Sequence, residues 1–211
     1  MARASIKLLW VPFLLFVFGA CSLTEPKVKA QPSPLVTLQT SMGPVVVELY
    51  TKQAPLSAGD FLRYVDEGHY HGAAFYRVVR PEVDQGLPVI SVIQGGVPDP
   101  PKSSDPIPHE TTQDTGIMHT DGTLSIARAD PGTGSAAAFF ITVGDQPSLD
   151  FGGMRNPDGF GFAAFGRVVD GMDVVRAINA IADVAETENP YLKGQILKTP
   201  IPFTAKRSGP G

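Results

Sequence analysis

The chain has 211 residues, 43% of them hydrophobic, which suffices for one apolar core and allows at most two small domains. Glycine (22) and proline (20) are abundant but below the share that marks a low-complexity chain, so a folded protein with many turns is expected. The net charge of −4, without any cluster of Lys and Arg, argues against nucleic acid as a partner, because phosphate neutralisation needs grouped cations.

In chain order, Arg3 and Lys7 precede the apolar run Leu8 to Phe18, and Gly19 and Ala20 follow it. A positive flank, a short apolar run and a small-residue end make residues 1–20 a signal peptide, since a membrane span needs roughly twenty apolar residues. Its removal leaves a charge of −6. Cys21 is the only cysteine, so an internal disulfide is ruled out. Its place after Gly19-Ala20 resembles the lipidated cysteine of bacterial lipoproteins, with Phe18 where an aliphatic residue is usual. Ordinary cleavage after Ala30 is the alternative. The chain is therefore expected to be exported to the periplasmic side, touching the membrane only through a lipid on Cys21.

Residues 21–34, with Pro26, Pro32 and Pro34, read as an extended tether. A folded domain is expected over residues 35–206, with 207–211 as a tail. Leu35 to Tyr50 holds two β-branched runs around Ser41-Met42-Gly43-Pro44, a hairpin signal. Pro55 opens a helical pattern that Gly68 closes. Ala73 to Val79 and Val89 to Gly96 read as strands, and five prolines from Pro98 to Pro108 as an irregular loop. Thr123 to Ala129, Ala137 to Val143 and Phe162 to Val169 are further strands, and Asp173 to Ile181 is a second helix. Many short strands with two helices predict a mainly β fold, a barrel or sandwich with peripheral helices.

Familiar catalytic templates are missing. There is no Gly-x-Ser-x-Gly elbow, and Gly132-Thr133-Gly134-Ser135 lacks the lysine of a phosphate-binding loop. Asp150-Phe151-Gly152 is not preceded by a kinase catalytic loop. His69 and His71 follow the helix-ending Gly68 and have no identifiable third ligand, so they read as loop histidines; no metal or cofactor is expected.

Several segments, taken in order, resemble the cyclophilin-type prolyl isomerases, in particular bacterial, exported members. Phe75-Tyr76-Arg77-Val78-Val79 is similar to the family's Phe-His-Arg strand, and Gln94-Gly95-Gly96 to its Gln-Gly-Gly. Gly122 to Arg128 (GTLSIAR), Phe139-Phe140-Ile141 and Phe165 to Val175 (FGRVVDGMDVV) are similar to three more family segments. The resemblance implies a closed antiparallel barrel of about eight strands with two peripheral helices, acting as a monomer on proline-containing polypeptides. It implies Arg77 as the catalytic residue and Gln94 as a partner of the substrate backbone. Phe140 and Leu149 would line the proline pocket, with Val92, Phe162 and Ala127 as neighbours.

That chemistry is physically coherent. Turning an X-Pro bond sacrifices amide resonance, with a barrier of roughly 18–20 kcal/mol. The task is to bind the twisted amide better than either planar form, which needs no nucleophile or acid/base pair. The proline nitrogen regains lone-pair density when twisted, and a permanently charged guanidinium is a suitable donor to it. Arg77 is expected to lie exposed in the groove. Phe139 and Phe140 must face opposite sides of their strand, so only one can line that groove.

Four departures from the family pattern bear on the site. Ala138 stands where a glutamine is usual, Ser148 where an aromatic residue is usual, and Ser91 and Val92 replace Phe and Met. Arg80 to Leu87 reads as an insertion. These changes predict a shallower, less aromatic pocket, and leave two functional classes: an isomerase assisting the folding of exported proteins, or a module that binds proline-containing segments without turning them over.

Overall fold

The computed structural model of the chain describes residues 32–98 and 105–208. The expected signal peptide, Cys21 and most of the tether lie outside them. Eight strands are present: β1 (Leu35–Thr40), β2 (Gly43–Leu49), β3 (Ala74–Val79), β4 (Val92–Gly96), β5 (Thr123–Ile126), β6 (Ala138–Thr142), β7 (Ala163–Asp170) and β8 (Ile196–Ser208). They close into a barrel in the order β1-β2-β7-β5-β6-β4-β3-β8, with β8 returning to β1. Every neighbouring pair is antiparallel. The fold is thus the closed, mainly β barrel that the resemblance implied.

Period-two alternation explains the interior. Val36 and Leu38 of β1, Val45, Val47 and Leu49 of β2 and Phe139 of β6 are buried inside the barrel. Phe139 packs edge-on against Phe61, Phe75 and Phe203, ring pairs that stabilise beyond the area they bury.

Helix α1 (Pro55–Asp66) begins with proline, whose missing N–H costs nothing at that position. The Glu110 carboxylate accepts from the N–H of Leu56 (3.1 Å) and of Ser57 (2.7 Å), satisfying helix-start donors. The helix buries Phe61, Tyr64 and Val65 against the barrel. Helix α3 (Met172–Asn179) buries Val175 and Ile178. It stops short of the expected Ile181, and the Arg80 guanidinium caps its end by donating to the carbonyls of Asn179 (2.6 Å) and Ile181 (2.8 Å). A four-residue helix, α2 (Thr112–Thr115), joins the two expected ones, held by a capping box between Thr111 and Asp114.

The largest difference from the expected elements is β8. Its sequence, ILKTPIPFTAKRS, confines apolar alternation to Ile201, Phe203 and Ala205 and contains two prolines. Tertiary pairing to β1 and β3 makes it a strand despite this, and Arg207 and Ser208, expected in the tail, belong to it.

Candidate active site

Strands β3 and β4 bring the first two site residues together. Arg77 and Gln94 face each other in register, and an Nη of Arg77 donates to Gln94 Oε1 at 3.0 Å. Close backbone approach at Gly95 and Gly96 fits β4 between its neighbours β3 and β6. A Cβ on Gly96 would lie 2.0 Å from the Ala137 carbonyl oxygen, and its φ of +149° already disfavours a side chain. Gln94 Nε2 in turn donates to the Tyr76 hydroxyl at 3.1 Å. Burial pushes the Tyr76 phenol up from its ordinary value, so it remains protonated at neutral pH.

Beside this polar edge lies a second apolar cluster, separate from the barrel core. It consists of Val79, Ile90, Val92, Phe140 and Leu149, with Ala127 and Phe162 packed against it. Phe140 is the outward partner of Phe139, as strand alternation requires. Phe162 meets Phe140 edge-on at 5.2 Å between ring centroids. These residues line a cavity of about 170 Å³ with Arg77 and Gln94 at its edge. All seven pocket residues named from the sequence therefore border one cavity.

Several of its walls were not legible in the sequence. Tyr191 lines the cavity from the turn at Pro190–Leu192 and lies 5.4 Å from the Arg77 guanidinium. It supplies an aromatic wall that Ser148 does not. The insertion, Arg80 to Leu87, is tied to the domain by Arg155, whose Nη atoms donate to the Asp84 carboxylate at 2.7 and 2.8 Å. Both side chains are almost fully enclosed, at 4% and 0% exposure. Burial pushes the Asp84 carboxyl up, but Arg155 and the N–H groups of Gly86 and Ile90 outweigh it and hold the group below its ordinary 3.8.

Arg77 is itself only part-exposed, which corrects the expectation of a solvated groove residue. Its Nε and one Nη donate to Gln195 Oε1 at 2.9 and 2.6 Å. Two other arginines line the cavity, Arg128 and Arg155, and each is paired with a carboxylate, Asp158 and Asp84 respectively. Arg77 has no carboxylate partner among the described residues.

Behind Phe140, His119 Nδ1 lies 2.7 Å from Asp150 and its Nε2 3.0 Å from Ser125 Oγ. This Ser-His-Asp set is enclosed, at 0%, 1% and 4% exposure, and cannot reach a substrate. It ties β5 to the turn that carries Leu149, and the imidazole stacks on Phe140. His69 pairs with Glu67 at 2.6 Å, and among the described residues no group of three or more His, Cys, Asp or Glu could hold a metal ion.

The comparisons with known proteins agree with this geometry. The family model for cyclophilin type peptidyl-prolyl cis-trans isomerase/CLD matches residues 35–201. Peptidyl-prolyl cis-trans isomerase cyp18 of Streptomyces antibioticus is 37% identical over 146 residues, covering 69% of this chain and 83% of that protein. Peptidyl-prolyl cis-trans isomerase A of Dickeya dadantii is 35% identical over 182 residues, covering 84% and 88%. A crystal structure of a Cryptosporidium parvum cyclophilin, determined in the presence of the dipeptide Ala-Pro, shares the fold. Its TM-score is 0.59 at 20% identity, over 83% of this chain and 99% of that one. The chain belongs to the cyclophilin-type peptidyl-prolyl cis-trans isomerases, enzymes that act on proline-containing polypeptides.

Proposed function

We propose that the protein isomerises X-Pro bonds of exported polypeptides by donating hydrogen bonds from Arg77 to the twisted amide while the proline ring occupies the apolar cavity. The observation that carries this reading is the contrast within the cavity wall. Two arginines are neutralised by carboxylates, and the third, Arg77, is held by neutral amides at the edge of an apolar cluster. At the edge of an apolar cluster such a donor stabilises developing lone-pair density more than it does in bulk water. Phe140, Phe162 and Leu149 form the apolar walls around the ring, and Gln94 aligns the substrate backbone.

The test is direct observation of cis/trans exchange in a proline peptide by NMR, with the domain from about residue 31 onward. Acceleration is expected. Binding without acceleration would make this a proline-binding module instead. Strand alternation puts Ala138 on the same face of β6 as Phe140, one step along the groove. Ala138→Gln is therefore expected to raise turnover by restoring a backbone partner, because small gains in alignment carry large factors in rate. A slower or unchanged enzyme would show that this position does not limit catalysis.

Export rests on the N-terminal sequence: Arg3, Lys7, the apolar run and Cys21 after Gly19-Ala20. Among the described residues no helix is long and apolar enough to cross a membrane. On the proposed reading, the mature chain starts at Cys21, and two acyl chains on it supply the two signals that stable anchoring takes. Mass spectrometry of the native N-terminus should find a diacylated Cys21. Cleavage after Ala30, or an unmodified Cys21, would remove the anchor from this account.

A further inference from the structure

We infer that Gln195 is a positioning residue for the reaction, fixing the Arg77 guanidinium in its working orientation without neutralising it. The inference rests on the isomerase reading with Arg77 as donor. Gln195 is fully buried, in the connection leading to β8. Its Oε1 accepts from Arg77 Nε at 2.9 Å and from Arg77 Nη at 2.6 Å. Its Nε2 donates to the carbonyls of Val83 (3.1 Å) and Tyr191 (2.9 Å). Both acceptor sites and both donors of the amide are used, so its capacity is filled. Reversing the amide would set N–H against N–H and oxygen against two carbonyl oxygens, so the orientation is determined.

The consequence falls on Arg77. A guanidinium has five N–H donors. Three are taken, two by Gln195 and one by Gln94. One N–H on each terminal nitrogen therefore has no acceptor among the described residues and is available to a substrate. Held along one edge by Gln195 and at the other side by Gln94, the planar group has little freedom to turn away. A glutamate at 195 would accept the same two bonds but would cancel the charge, as Asp158 and Asp84 do for the other two cavity arginines. A neutral amide supplies orientation and leaves the charge intact. Gln195 also couples this clamp to the cavity walls, because Val83 lies in the insertion and Tyr191 on the aromatic side.

The test is a double-mutant cycle in the soluble domain, with exchange rates and peptide affinity measured together. Gln195→Met, unbranched and of similar length, should lower kcat about tenfold while KM changes much less, because orientation matters most at the twisted state. In the Arg77→Ala background the same change should cost almost nothing further. Gln195→Glu should also be slow, since it cancels the Arg77 charge and sets its second carboxylate oxygen against the Val83 and Tyr191 carbonyls. A rate for Gln195→Met equal to wild type overturns the inference, and so does an equal loss in both backgrounds. The 15N–1H signal of Arg77 Nε gives a readout independent of turnover. It should be resolved in the wild type and lost to solvent exchange in Gln195→Met, and a signal insensitive to that change refutes the clamp. If the clamp signature is present but the wild type does not accelerate exchange, the clamp stands and the isomerase reading falls.

Discussion

Arg77→Ala should slow isomerisation on the order of tenfold to a hundredfold, the range that one charge-assisted hydrogen bond of about 1.5–3 kcal/mol supplies. The loss should appear in kcat, because the donor matters most when the proline nitrogen is pyramidal. The sequence alone suggests that removing a surface arginine would leave stability unchanged, and the structure corrects this. Truncation strands the fully buried Gln195 Oε1, which loses two donors, and leaves Gln94 Oε1 with none from Arg77. A destabilisation of about 1–3 kcal/mol is therefore expected beside the kinetic defect. Arg77→Lys should recover part of the stability but little of the rate, since an ammonium cannot span Gln195 and Gln94 in one plane. Wild-type turnover by Arg77→Ala would refute the proposed mechanism while leaving the fold assignment intact.

The largest effect on stability should come from Arg155→Leu. The Asp84 side chain has no exposure, and Arg155 gives it two hydrogen bonds. Removing one member of such a pair leaves a buried charge uncompensated and costs about 3–5 kcal/mol. For a domain of this size that lowers Tm on the order of 10 °C. The pH dependence should shift as well. In the wild type the Asp84 carboxyl lies below 3.8, so its contribution is complete above that pH and is lost as the pH falls through the lowered folded value. In Arg155→Leu the N–H groups of Gly86 and Ile90 still hold the carboxylate, but burial acts with less opposition, so the carboxyl should move up and the acid-side loss of stability should begin at higher pH. Thermal melts of both proteins across the acid range decide the matter. Because Arg155 also holds Pro88 and the Tyr191 hydroxyl, the variant should bind proline peptides more weakly as well. Unchanged melting and unchanged affinity would show that the pair does not hold the cavity wall.

Local pattern was enough to place seven of the strands and both longer helices, and the reason is periodicity. The alternation in Phe139-Phe140 puts one ring in the barrel and the other in the groove, and a hairpin turn or a Pro-started helix is specified by its own residues. The resemblance pointed to Arg77, Gln94 and Phe140 because each lies within a short segment similar to the family's. Long-range pairing decided the remainder. Strand β8 carries two prolines and alternates only at Ile201, Phe203 and Ala205, and is a strand because β1 and β3 offer it open edges. Gln195 lies far along the chain from Arg77, and its sequence neighbours give no sign that its amide oxygen accepts two bonds from a guanidinium. Asp84 and Arg155 are likewise ordinary charged residues in sequence, which in most proteins lie exposed. Closing the barrel brings these distant groups into one enclosure, where each polar atom must find a partner, and those partnerships shape the site.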